Sequence, residues 1–290
     1  MSADKNNPRL AVLIDADNTF NVIPIIDALF EEISKFGDAS VRRIYGDWTQ
    51  NQLSRWKEIL PKHAIQPIQQ YANTKGKNAT DSALIIDAMD LLYTAPLDGF
   101  CIVSSDSDFT RLAIRFRESG KIVYGFGEQK TPESLRAACN QFIYVEILSQ
   151  NKIADATAPE TNSQAPSKKA KPSSGTGSSS GSDSTTSPET KPAITQSDES
   201  TLLTPVVKRT SKQLASDTKL VSLIRSAVES LSDDDGFANT GEVKKHIIKN
   251  YSAFDSRNYG YAKFSDLIDT IGLFELDAKK QRIKDKRKKG

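Results

Sequence analysis

Cysteine and histidine are nearly absent, with two of each in 290 residues. Cys101 and Cys139 both lie in apolar runs. Two thiols cannot staple a disulfide scaffold or supply a Cys-rich zinc site, and they suit a reducing compartment. No apolar run approaches the roughly 20 residues a membrane span requires, and the opening MSADKNNPRL has no signal-peptide pattern. The expectation is a cytoplasmic protein with no membrane contact. Neither charge sign dominates, with 39 basic against 37 acidic side chains. A uniformly basic, polyanion-coating protein is thereby excluded, but a local basic patch is not.

Aromatic residues are missing from one long stretch. Fifteen of 22 lie between Phe20 and Tyr144, none lies between Tyr144 and Phe237, and seven follow. The gap includes SKKAKPSSGTGSSSGSDSTTSPETKP, which holds too little apolar surface to offset the entropy of ordering it. A disordered Ser/Thr/Pro/Lys-rich linker is expected over 151–216, between a first domain at 8–150 and a second at 217–277, with a basic tail at 278–290. Net charge changes along the chain, from −3 over the first 150 residues to +4 over 218–290. No internal repeat is evident, and whether copies associate as a homo-oligomer stays open.

The first domain alternates strand and helix patterns. LAVLID, SVRRIYG, AIQPIQQY, GFCIVSS, KIVYGFG and FIYVEI read as short strands. Between them VIPIIDALFEEISKF, NQLSRWKEIL, TDSALIIDAMDLLY, FTRLAIRFRESG and TPESLRAAC carry helical spacing. Continuous apolar strands flanked by helices belong to a sheet covered on both faces. An α/β doubly wound, mostly parallel sheet is expected. The second domain reads as a small, mainly helical, winged-helix-like module over LVSLIRSAVES, GEVKKHIIKNY and KFSDLIDTIG.

Ligands of open parallel sheets gather beyond the carboxyl ends of the strands, where strand order reverses. Two strands here run into acids: LAVLI into Asp15, Asp17 and Asn18, and GFCIVSS into Asp106 and Asp108. Asp81 opens the helix after the Gly76-Lys77-Asn78 loop. If the first and fourth strands are neighbours, Asp15, Asp106 and Asp108 meet at one edge with Asp81 nearby. Like charges 4 Å apart repel by about 1 kcal/mol in water and about 4 kcal/mol at an effective dielectric of 20. Four carboxylates make six such pairs, comparable with the ~5–15 kcal/mol that holds a domain folded. A divalent cation removes the conflict, and an all-oxygen ligand set favours Mg²⁺ or Mn²⁺ over zinc. Such ions suit phosphodiester hydrolysis. An acid alone at a strand end is more often a helix cap or turn former than a ligand, Asp17 also reads as a loop brace and Asn18 equally as a cap. Asp87 and Asp90 are expected on the solvated face of their helix.

LIDADN (13–18), GKNATDSALIIDAM (76–89) and VSSDSDF (103–109), occurring together and in order, resemble the signatures of the NYN domain, a branch of the PIN-like nuclease superfamily. RIYGDW and VYGFGEQKTPESLRAAC extend the resemblance over about residues 9–147. The region 218–276, through YGYAKFSDLI and LFEL, more faintly resembles a LOTUS (OST-HTH) RNA-binding module. The resemblance implies a PIN-like fold, a metal-dependent ribonuclease site and RNA as partner. Matched by motif, Asp15, Asp81, Asp106 and Asp108 are the catalytic and metal-binding acids, supported by Asn18, Asp17, Ser104 and Ser105.

Candidate RNA contacts are Lys75 and Lys77 in the loop before Asp81, Arg111 and Arg115 on the helix after Asp108, and Lys279, Lys280 and Arg287 in the basic tail. Each has a bland alternative as a solvated charge, and Tyr259, Tyr261 and Phe264 are read as core more than as base-stacking platforms. With His63 in a turn and His246 among lysines, no histidine-pair mechanism is expected, and no Ser/His/Asp or Cys/His set is present. Two other functions stay open. LIDADNT also fits the D-x-D-x-T start of haloacid-dehalogenase-like phosphatases, and the acids would also suit a non-catalytic RNA-binding adaptor.

Overall fold

The computed structural model describes residues 7–71, 79–149 and 206–287. In the first unit six strands form one all-parallel sheet. They are β1 (Arg9–Asp15), β2 (Asp38–Gly46), β3 (Gln66–Gln69), β4 (Gly99–Val103), β5 (Ile122–Gly127) and β6 (Gln141–Tyr144), in the order β3-β2-β1-β4-β5-β6. The doubly wound parallel sheet is therefore as expected. Strand order reverses between β1 and β4, which lie side by side with Ile14 opposite Val103.

The sequence of β1 explains why both faces are covered. Leu10, Val12 and Ile14 enter a core with helix α1 (Ile26–Ser34), while Ala11 and Leu13 enter the opposite core with α2 (Ala79–Thr94), α3 (Thr110–Glu118) and α4 (Glu133–Ala138). An apolar residue at every position from Leu10 to Ile14 leaves no face for water. Three expected elements are shortened or divided. VIPIIDALFEEISKF begins as a 3₁₀ turn at Phe20–Ile25 before α1, NQLSRWKEIL is 3₁₀ over Asn51–Trp56, and FIYVEI leaves the sheet after Tyr144 to continue as helix. Asp87, expected on a solvated face, instead accepts hydrogen bonds from Arg43 and Tyr45 and ties α2 to β2.

The second unit holds α5 (Ser211–Ser216), α6 (Thr218–Leu231), α7 (Thr240–Asn250) and α8 (Phe264–Ile271). An antiparallel sheet of β7 (Ala238–Asn239), β8 (Phe274–Leu276) and β9 (Arg282–Asp285) accompanies them, in the order β7-β9-β8. Two expectations are corrected here. Residues 206–216, assigned to the end of the linker, carry α5, whose start is closed by a capping box between Thr210 and Gln213. Residues 282–285, assigned to a solvated tail, form β9, because Ile283 is the one apolar side chain in KKQRIKDKRKKG and is fully buried. Burying it stabilises the unit by about 2 kcal/mol. Tyr261 and Phe264 are core, as read. Gly260 sits at φ +84°, and a Cβ there would meet Lys208 Cα at 2.4 Å, so only glycine lets the 206–210 segment pack against this turn.

The two units are docked. Phe142 N–H, on the open side of β6, donates to Ser252 O at 2.9 Å, and Ser252 Oγ donates to Arg136 O. The sheet edge is thereby closed by the second unit. On the other side of the edge the Arg257 guanidinium donates to both oxygens of Glu32, at 2.9 and 2.6 Å, and to Asp255 at 2.7 Å. Glu32 and Asp255 are buried. Burial would raise the Glu32 carboxyl, but the bonds from Arg257 and Lys35 outweigh it and leave Glu32 below its usual value.

Removing Arg257 strands that carboxylate. Arg257→Ala should cost about 3 kcal/mol in chemical denaturation, and Glu32→Gln in the same chain should recover part of the loss. Because Glu32 is depressed in the folded protein, its contribution is present above its unfolded value near 4.5 and is lost as pH falls through the lower folded value. Docking measured by solution scattering should therefore loosen only below about pH 4.5.

Candidate active site

The β1 and β4 strands deliver their acids to one place because they are hydrogen-bonded neighbours ending at the same level. After Asp15 the chain turns sharply. Thr19 Oγ1 donates to Asp15 O, and Ala16 N–H is held by Tyr45 O of β2 at 2.9 Å. After Val103, Ser104 N–H pairs with Phe126 O of β5, and Asp106 caps the 3₁₀ turn Ser107–Phe109 by accepting from Asp108 N–H at 2.9 Å. That turn carries Asp106 and Asp108 outward together. Asp81 arrives from the first turn of α2.

Asp81, Asp106 and Asp108 each offer a carboxylate oxygen, and these oxygens lie within 4.8 Å of one another. Burial first, then the Asp15, Asp106, Asp108 and Asp17 carboxylates, push Asp81 up to about 6. Asp15 stands behind this trio and is fully buried. Its carboxylate accepts from Asn18 Nδ2 at 2.7 Å, Ser104 Oγ at 2.8 Å and Asp17 N–H at 3.2 Å. Burial raises the Asp15 carboxyl, and the Asn18 and Ser104 bonds partly counter this. Ser104 also accepts from Asp106 N–H at 3.0 Å, so one buried hydroxyl links the two strand ends.

The supporting residues divide. Asn18 and Ser104 bond Asp15, as their positions suggested, and Ser105 Oγ instead accepts from Glu128 N–H at 2.9 Å. Asp17 is exposed. Its carboxyl end is nonetheless partly desolvated, which raises its value; the Thr80 hydroxyl lowers it, and Asp47 raises it further. The phosphatase alternative needs Asp15 as an accessible nucleophile. The side chain is buried with both oxygens engaged, so that reading fails on geometry.

The cationic candidates are scattered. Lys75 and Lys77 lie outside the described residues. Arg111 is exposed on α3 beyond Asp108, whereas Arg115 bonds Tyr93 and pairs with Glu118 at 3.7 Å. Lys279, Lys280 and Arg287 belong to the second unit, where Lys280 pairs with Asp266 and Asp269. One cation next to the acids escaped the sequence reading. Lys130 lines a cavity of about 240 Å³ with Asn18, Ser105, Asp106, Ser107 and Glu128, and pairs with Glu128 at 3.0 Å. Its only sequence signal is the GEQKTPE loop following β5, the strand beside β4.

Comparison with known proteins agrees with this geometry. Residues 9–148 match the family model of the NYN domain, and residues 213–282 match that of the OST-HTH/LOTUS domain. The chain carries these two domains in that order. NYN domains form a PIN-like nuclease family, and LOTUS domains bind RNA. Among solved structures, a protein of unknown function from Vibrio parahaemolyticus is similar at 16% identity and a TM-score of 0.42, covering 50% of this chain and 96% of that one. A likeness at that score carries no argument. No curated protein matches the chain.

The repulsion among the trio makes opposite predictions for stability and for ion binding. In metal-free protein near neutral pH, Asp81→Asn should raise the melting temperature by removing one of the repelling charges. Millimolar Mn²⁺ or Mg²⁺ should stabilise the wild type, by about 2.7 kcal/mol at a hundred times Kd, and so raise its melting temperature, while leaving that of Asp81→Asn almost unchanged.

Proposed function

We propose that this protein is a metal-dependent ribonuclease that hydrolyses RNA phosphodiester bonds, with its LOTUS domain holding the RNA. The observation that carries this reading is the meeting of Asp81, Asp106 and Asp108 at the strand-order reversal of an NYN domain. Their donor set is all oxygen, with no histidine or cysteine in the group, and fits Mg²⁺ or Mn²⁺ rather than zinc. When bound, such a dication supplies Lewis-acid activation of water and charge stabilisation at the phosphoryl group.

The protein's own side chains have distinct tasks. Asp81, Asp106 and Asp108 hold the ion. Asp15 completes the acidic set from behind, and its bonds with Asn18 and Ser104 fix its carboxyl group and the strand ends. Asp106 and Asp108 stay in register because their turn is capped internally. Lys130 and Ser105 bind a phosphate next to the cleaved one, in the cavity that opens beside Asp106. Arg111 is exposed at the start of α3, and Lys75 and Lys77, close to Asp81 in sequence, are further candidate phosphate contacts.

Acids that repel one another when empty also repel an incoming phosphate, so RNA binding near the site depends on the ion and on neighbouring cations. Affinity should fall with added salt, as for any phosphate-dominated contact. The docked LOTUS domain supplies binding surface at a fixed position, and not merely a raised effective concentration.

Cleavage of end-labelled single-stranded RNA in Mg²⁺ or Mn²⁺ tests the reading. Asp106→Asn should lower kcat by roughly 100-fold or more, since the interactions at stake are worth several kcal/mol in the transition state. Lys130→Ala should chiefly raise KM. Turnover by the wild type that survives Asp106→Asn would reject the assignment, and RNA binding with no turnover would identify a non-catalytic adaptor.

A further inference from the structure

A second cavity lies where the two domains meet. It measures about 230 Å³, and Gln129 and Tyr144 of the NYN domain face Arg209, Tyr251, Asn258 and Tyr259 of the second unit across it. It exists only because the domains are docked, and neither domain alone supplies its walls. Its position relative to the acids is set by chain connectivity. Gln129 and Lys130 are consecutive, and Lys130 lines the cavity beside Asp106, so one short loop separates the two cavities.

The chemistry of the walls selects a ligand class. Three tyrosines contribute aromatic surface, and the Arg209 guanidinium lies 5.0 Å from the centre of the Tyr259 ring. Arg209 also pairs with Asp217 at 3.1 Å, and that carboxylate lines the cleft as well. Flat rings and a guanidinium plane stack on a base, and the amide of the exposed Gln129 offers a donor and an acceptor to a base edge. The volume fits one unstacked base and no folded structure. Gln129 is itself held in place, its N–H donating to the buried Glu146 carboxylate at 2.8 Å.

We propose that this interdomain cleft binds one nucleobase of the single-stranded RNA whose backbone lies at the acid cluster, across the 128–130 loop. Substrate choice then depends on the junction of the domains as well as on either domain alone. The proposal rests on RNA being the ligand of the acid site, but not on that RNA being hydrolysed.

The test uses the full chain in two arms. In the first, wild-type protein in Mg²⁺ is mixed with a 12-nucleotide single-stranded RNA carrying 4-thiouridine and irradiated before cleavage is complete, and crosslinked peptides are sequenced. Crosslinks at Tyr251 or Tyr259 are expected, with yield falling about tenfold in Gln129→Ala, the size of one lost base contact. In the second arm, Gln129→Ala and Arg209→Ala should each raise KM for the 12-mer about tenfold and leave kcat unchanged, with no change on a dinucleotide that cannot span both cavities. Gln129 is exposed and remote from both cores, so that variant folds if any does. Crosslinks confined to other surfaces, or equal effects on long and short substrates, overturn the cleft. Crosslinks at the cleft from a protein that cleaves nothing would retain it and reject the hydrolase reading instead.

Discussion

Three carboxylates drawn within 4.8 Å of one another, with a fourth buried behind them, are an arrangement that folding opposes. At an effective dielectric of 20, each pair at that separation costs about 3 kcal/mol when both members are ionised. The protein accommodates the conflict in two ways. Asp81 holds its proton up to about pH 6, and Asp15 is surrounded by donors from Asn18, Ser104 and the Asp17 amide. Neither relieves the crowding of Asp106 and Asp108 near neutral pH. A bound dication does, and the functional reading follows from that requirement.

The remainder of the NYN domain can be understood as what holds those acids in place. An all-parallel sheet with an apolar residue at every position from Leu10 to Ile14 of β1 fixes β1 and β4 side by side, and their ends emerge together where strand order reverses. Ser104 joins the two ends through one hydroxyl, and the Tyr45–Asp87–Arg43 contacts anchor α2, which carries Asp81. The second domain contributes rigidity of a different kind. It closes the β6 edge through Ser252 and clasps α1 through Arg257, which gives the LOTUS domain a defined position beside the parallel sheet.

Much of this was legible in the residues. Strict alternation of short apolar strands with amphipathic helices encodes a doubly wound sheet, and acids at successive strand ends can meet only if β1 and β4 pair, as they do. What escaped was contact between residues distant in sequence. Nothing local marks Asp87 as a partner of Arg43 and Tyr45, or Lys130 as a neighbour of Asp106. Ile283 was hidden among lysines, where composition outweighs a single apolar side chain until its strand partners are known. The linker boundary failed for a similar reason, since the 206–216 segment has low hydrophobicity and is ordered by packing and capping rather than by its own pattern. Arg257 and Glu32 are separated by 225 positions, and only the docked structure joins them.

The central claim is that the Asp81, Asp106 and Asp108 carboxylates share one cation. Anomalous scattering from crystals grown with Mn²⁺ tests it most directly. The account predicts a peak about 2.0–2.2 Å from an oxygen of each of the three, absent from Asp106→Asn crystals treated identically. Strong density elsewhere on the molecule, with this trio left empty at saturating Mn²⁺, would contradict it.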